Sequence, residues 1–187
     1  MSAAFSRKEN LVYRLLLVLA IIAAAAALRI APHPWNFTPV GAMALFSGAT
    51  IKDRRLAFAF PMLALFAGDL FVGFYKLGVM VMVYASFLLS VLIGRSLQSR
   101  RTFLRIAGAT VLGSFQFFLV TNFAVWSFLN SYPKTVSGLA ACYLAGFALV
   151  WNTVAGDVLY ALLFFGALAV VERFVPIFRE PAPAAAR

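Results

Sequence analysis

The apolar residues of this chain run in stretches too long for a soluble core, and nearly every base falls between them. The stretches cover residues 11–30, 37–51, 56–75, 77–94, 103–129 and 136–171. A helix needs about 20 consecutive apolar residues to cross a bilayer. Hydrocarbon offers the backbone no hydrogen-bond partner, so a crossing segment must satisfy its own amides. The expected fold is therefore all-α and integral to a membrane, a six-helix transmembrane bundle. Composition agrees: 64% of residues are hydrophobic and 12% charged, against about half and a quarter in soluble domains. A net charge of +10 invites a nucleic-acid reading. The bases lie in short clusters between apolar runs instead of on one soluble face, which argues against such a partner.

Those clusters fix the topology. Arg7, Lys8 and Arg14 open the chain; Lys52, Arg54 and Arg55 follow the second stretch; Arg95, Arg100, Arg101 and Arg105 follow the fourth; Arg173, Arg179 and Arg187 close it. Lys and Arg are retained on the cytoplasmic side of a membrane. One arrangement places thirteen of the sixteen bases there and leaves Arg29, Lys76 and Lys134 outside. Both termini are then cytoplasmic. Parity makes the short stretch 37–51 a crossing helix, since otherwise the arginines at 95–105 would fall outside. The final stretch is too long for one ordinary span. Its simplest reading is one crossing over about 152–173, preceded by a helical or re-entrant cap over 137–150. Residues 1–179 form a single transmembrane domain, and the Pro/Ala-rich tail 180–187 reads as disordered.

Charges inside apolar stretches are costly and usually face a cavity or one another. On this topology Arg29 ends the first helix, Asp69 nears the end of the third and Asp157 begins the last. His33 and Asn36 lie in the first outer loop, Asn122 nears the outer end of the fifth helix, and Asn152 precedes the sixth. With nothing comparable expected in the inner half, the candidate substrate-binding residues are Arg29, His33, Trp35, Asn36, Asp69, Asn122, Trp126, Asn152 and Asp157. Structural alternatives stand beside that reading. Either aspartate can pair with Arg29 as a bridge. Asp157, in the first turn of its helix, suits the positive end of the dipole, and the asparagines can cap helix ends. Trp35, Trp126, Trp151, Tyr75 and Tyr132 can form an interfacial aromatic belt. Pro32, Pro34 and Pro39 stiffen the first outer loop. His33 is the only histidine and Cys142 the only cysteine, which excludes a multi-histidine metal site and an internal disulfide. No metal site, cofactor or catalytic residue is assigned. On the first helix, the pairs Ala20/Ala24 and Ala23/Ala27 make small-residue faces suited to close helix packing.

The run from Pro32 to Phe46 (Pro-His-Pro-Trp-Asn-Phe-Thr-Pro-Val-Gly-Ala-Met-Ala-Leu-Phe), Ala-Gly-Asp at 67–69 and Asn-Phe-Ala-Val-Trp at 122–126 carry a resemblance. So do Tyr132-Pro-Lys-Thr135, Cys142-Tyr143 and Asn152-Thr-Val-Ala-Gly-Asp157. Over residues 29–166 the chain resembles a bacterial family of small membrane proteins that are themselves similar to the substrate-binding S components of energy-coupling-factor vitamin transporters. The resemblance implies capture of a small organic nutrient, such as a vitamin or metal-containing cofactor, from outside. It also implies a separate ATP-driven module docking on the first helix. The chain has no GxxxxGK[ST] loop, so any ATPase is another protein. A membrane-embedded enzyme using the outer Asp and His residues is the alternative, but neither H-E-x-x-H nor GxSxG is present, and a non-enzymatic role is expected. A third reading is a membrane assembly subunit.

Overall fold

The structure, a computed structural model, describes residues 7–29, 32 and 34–179. Its helices are α1 (Arg7–Leu28), α2 (Val40–Thr50), α3 (Arg54–Val72), α4 (Leu77–Arg95), α5 (Phe103–Phe128) and α6 (Val136–Phe174), closed by a 3-10 turn at Pro176–Phe178. No strand occurs among the described residues. All but α2 are long and apolar enough to cross a membrane. The chain is a multi-pass helical membrane bundle.

At only 11 residues, α2 is nevertheless the centre of the molecule. Every residue in it except Gly41 is buried, and it touches each of the other helices. Its backbone lies directly against that of α4. A Cβ on Gly48 would strike the Val91 carbonyl, and one on Gly94 would strike the Leu45 carbonyl. Only glycine lets two helices approach so closely. Phe46 packs edge-on against Phe165 and at a tilt to Phe164, tying α2 to α6.

A short helix buried in apolar surroundings leaves its terminal carbonyls without partners unless side chains supply them. Gln98 Nε2 donates to the carbonyls of Gly48 and Ile51, both at 2.9 Å. Arg14 Nη1 donates to Thr50 O at 3.0 Å, while its Nε meets Glu172 Oε1 at 2.9 Å. Side-chain caps also start the flanking helices: Asp53 accepts from Leu56 N–H before α3, and Thr135 from Gly138 N–H before α6. Arg179 closes α6 by donating to the carbonyls of Glu172 and Arg173.

Successive helices alternate in direction, so the bundle has two unlike ends. The start of α1, the α2–α3 turn, the α4–α5 link and the close of α6 meet at one end, where Arg14, Gln98 and Glu172 join them. That is the basic end. The close of α1, the α3–α4 link and the loop before α2 meet at the other.

The expected cap over 137–150 is not a separate piece. It belongs to α6, one uninterrupted helix of 39 residues. At 1.5 Å per residue, α6 is about 58 Å long, against roughly 30 Å of hydrocarbon. No proline falls between Pro133 and Pro176, so nothing terminates the helix, and 20 residues is a lower bound on a span and not an upper one. A single helix joins the neighbourhood of Lys134 to Arg173. Asn152 therefore lies inside α6 instead of preceding it, and Asp157 is far from its first turn. The tail at 180–187 lies outside the described residues.

Candidate functional site

Arg29, just past the end of α1, reaches across to α3. Its Nη2 meets Asp69 Oδ1 at 2.5 Å. The second oxygen of Asp69 accepts from the Tyr84 hydroxyl on α4 at 2.7 Å. Asp69 is fully buried, and a charge there would be prohibitive without the partners that Arg29 and Tyr84 supply. Gly68 makes room: a Cβ at that position would stand 2.6 Å from Arg29 Cδ. In the adjoining α3–α4 link, partial burial and then the Asp69 charge push the Tyr75 hydroxyl up to about 12, against a smaller opposing pull from Arg29. Tyr75 thus keeps its proton at any physiological pH.

Asp157 has different partners. Its Oδ1 accepts from the Ala42 backbone N–H at 3.0 Å and its Oδ2 from the Ser114 hydroxyl at 2.7 Å. The carboxylate therefore caps the N-terminus of α2 from another helix, where the dipole favours an anion. Gly41 permits the approach, because any Cβ there would overlap the Asp157 carboxylate. Close by, Pro34 O accepts from Phe37 N–H at 3.0 Å and Asn36 takes a positive φ of 61°. Such a turn requires positive φ at its third residue, which asparagine tolerates better than most side chains.

Around these groups lie two adjoining cavities. The first, about 190 Å³, is lined by Arg29, Asn36, Thr38, Tyr75, Ser90 and Asp157 on its polar side, with Phe87 and Phe117 among its apolar walls. The second, about 270 Å³, is lined mainly by Val79, Phe118, Val125, Leu149 and Val150, with Thr121 and Asn122. Asn36, Val83, Phe117 and Thr153 belong to both. A separate groove of about 280 Å³ between α5 and α6, among Phe103, Ile106, Phe165 and Gly166, carries no charged side chain.

Of the residues singled out in the sequence, the structure brings Arg29, Asn36 and Asp157 to the polar cavity and Asn122 to the apolar one. Asp69 lies behind Arg29 as its counter-charge. Trp35 presents its ring outward at 83% exposure, and its carbonyl accepts from Asn152 Nδ2 at 3.1 Å. Asn152 thus pins the loop to α6. Trp126 is engaged in the α5–α6 turn: its Nε1 donates to Pro133 O, while Lys134 Nζ donates to the Trp126 and Leu129 carbonyls. His33 lies outside the described residues. Of the two expected bridges to Arg29, only that of Asp69 forms. None of the asparagines caps its helix; Asn122 Nδ2 donates within α5, to Phe118 O. Cys142 is buried and donates weakly to Asn122 O.

The expectation that the inner half would hold nothing comparable is overturned by Arg14 and Glu172. Arg14 is only 5% exposed, so a base that served to count topology is also a structural element. Sequence reasoning also passed over Tyr84, Ser114 and the seam in which Gln116 Nε2 donates to Ser86 O and Ser90 Oγ. A glutamine in the middle of an apolar stretch was the available signal. Among the described residues, no three His, Cys, Asp or Glu side chains gather as a metal site would require.

Fold and cavities together define a helical membrane protein with a part-polar, part-apolar chamber between its helices. Residues 9–179 match DUF6580, a family of unknown function, and the chain belongs to that family. No curated protein and no solved structure matches it.

Proposed function

We propose that this protein is a substrate-binding membrane transporter, similar to the S components, that takes up a small organic nutrient. The observation that carries the reading is the pair of cavities sharing Asn36, Val83, Phe117 and Thr153 at the end opposite the basic clusters. In this reading the basic end is cytoplasmic and the cavities open outward across a bacterial inner membrane. The helix-1 faces expected to receive a partner are compatible with it. Val18, Ile22 and Ala25 turn inward, while Ala20, Ala23, Ala24 and Ala27 remain exposed. An ATP-driven module docking there would supply the energy, and coupling would be a change in exposure without bond chemistry.

The test is native mass spectrometry of the chain extracted from its own membranes in mild detergent, alongside uptake by cells that express it. A bound small molecule is expected, and Thr153→Phe, which fills the wall common to both cavities, removes it without unfolding the bundle. A Thr153→Phe variant that keeps the same bound mass would refute the site. Absence of any bound mass together with absence of uptake would refute the transport reading.

A further inference from the structure

We infer that the chamber takes an amphipathic organic cation: an ammonium-like group in the polar cavity and an apolar body in the cavity beside it. The inference rests on reading the paired cavities as a binding site, and it specifies the charge of what binds there.

The charges lining the polar cavity decide the matter. Among the described residues, two charged side chains reach it, Arg29 and Asp157. Arg29 is held by Asp69 at 2.5 Å, so its charge is met within the protein before any ligand arrives. Asp157 is 5% exposed and is held by the Ala42 amide and the Ser114 hydroxyl. Both partners are neutral. They orient the carboxyl group without supplying a counter-charge, so an ionised Asp157 needs a cation from outside the protein just as Asp69 needs Arg29, and each of its oxygens retains capacity to accept again. With Asp69 counted, the formal balance of the three side chains is one negative charge. An anionic ligand beside Arg29 would add a further negative charge next to Asp69 and leave that of Asp157 unmet. A cation meets the unbalanced charge instead.

The rest of the lining fits the same chemistry. Tyr75, Phe87 and Phe117 surround the cavity, and aromatic faces attract ammonium groups most strongly where water is excluded. Asn36, Thr38 and Thr153 add neutral oxygens. Past Phe117 the second cavity is bounded by Val79, Val83, Val125, Leu149 and Val150, with no charged side chain among its lining residues. A hydrocarbon or aromatic body extending from the cationic group would lie there.

The experiment measures equilibrium binding of labelled 4-butylbenzyltrimethylammonium, its neutral carbon isostere and 4-butylbenzoate to the full chain in non-ionic detergent. The cation is expected to bind at least about tenfold more tightly than either other probe. Asp157→Asn should weaken it roughly a hundredfold, since one partner of a buried charge pair is lost, and leave the neutral probe unchanged. Phe117→Leu should weaken the cation about tenfold more than the neutral probe. Equal or tighter binding of 4-butylbenzoate, or a cation affinity indifferent to Asp157→Asn, overturns the charge assignment while the cavities remain a binding site. If Asp157→Asn fails to fold, Phe117→Leu decides alone, and equal losses for both probes overturn the inference. If no probe binds and no small molecule accompanies the purified chain, the reading of the cavities as a site falls with it.

Discussion

The Asp157 carboxylate caps a helix to which it does not belong: its Oδ1 accepts from the Ala42 N–H, 115 residues earlier in the chain, at 3.0 Å. The same side chain borders the polar cavity. One residue therefore fixes the entry of the central helix α2 and faces whatever occupies the chamber, so occupancy and the placement of α2 are physically linked.

That double role separates two substitutions. Asp157→Asn keeps an acceptor for Ala42 N–H and should cost little stability. Asp157→Ala strands the Ala42 amide in the interior, at a cost of about 1–3 kcal/mol, while the Ser114 hydroxyl can still donate to Thr110 O. Thermal unfolding in detergent should rank wild type close to Asn and well above Ala. Equal melting of the Asn and Ala variants would mean that the cap contributes nothing.

At the opposite end of α2, Arg14 performs the equivalent task for the carbonyl of Thr50 while pairing with Glu172. Breaking a buried pair by removing one partner typically costs about 3–5 kcal/mol, and Glu172 is partly exposed, so Arg14→Ala should fall near the lower figure. Glu172→Gln, which retains an acceptor, should cost less. A double-mutant cycle on Arg14 and Glu172 reads the coupling directly, and simple additivity would show that the contact carries no energy.

Gly48 and Gly94 set how closely α2 and α4 approach. A methyl group at either position meets backbone and not a flexible side chain, so the helices must separate. Gly48→Ala and Gly94→Ala are each expected to destabilise by about 1–3 kcal/mol, the usual cost of overpacking. Gly108 has open space around it, and Gly108→Ala, measured in the same unfolding series, should be neutral or slightly stabilising.

Tyr75 gives a pH signature. Its hydroxyl is raised from 10.0 to about 12, chiefly by burial and then by Asp69. A group whose folded value exceeds its unfolded value stabilises fully below the unfolded value and loses that contribution as pH rises through the folded one. Stability should thus decline between about pH 10 and 12 on its account. Following tyrosinate absorbance, Tyr75→Phe should lose amplitude of one tyrosine from the late part of the titration, near pH 12, and the alkaline loss of stability should shrink. Amplitude lost near pH 10 instead would show that Tyr75 ionises normally.

How far the sequence could be read depended on whether the deciding force was carried by side-chain type. The basic clusters at 52–55 and 95–105 marked helix ends because charge avoids hydrocarbon whatever the packing, and the short apolar stretch before the first of them holds α2, a helix of 11 residues. The pairing of Arg29 with Asp69 was one of two bridges that charge allowed, but charge alone could not choose between Asp69 and Asp157. The choice rested on a backbone amide, Ala42 N–H, which leaves no mark on residue type. Gln98 and Arg14 escaped for the same reason, since each binds main-chain carbonyls of α2. The continuity of α6 was missed because apolarity reports that a segment avoids water and says nothing of where a helix stops.

Orientation is open to a direct measurement. Cys142 is the only cysteine and is buried at 1% exposure, so Cys142→Ala yields a silent background. Lys76 precedes α4 without a side-chain capping bond, and Ser131 and Ser99 are exposed in the α5–α6 and α4–α5 links. Single cysteines at Lys76 and Ser131 should react with a membrane-impermeant maleimide applied to intact spheroplasts. One at Ser99 should react only after permeabilisation, because it lies beside Arg95, Arg100 and Arg101, which retention of bases holds inside. The opposite pattern would turn the chamber toward the cytoplasm, and the protein would then gather its ligand from within the cell.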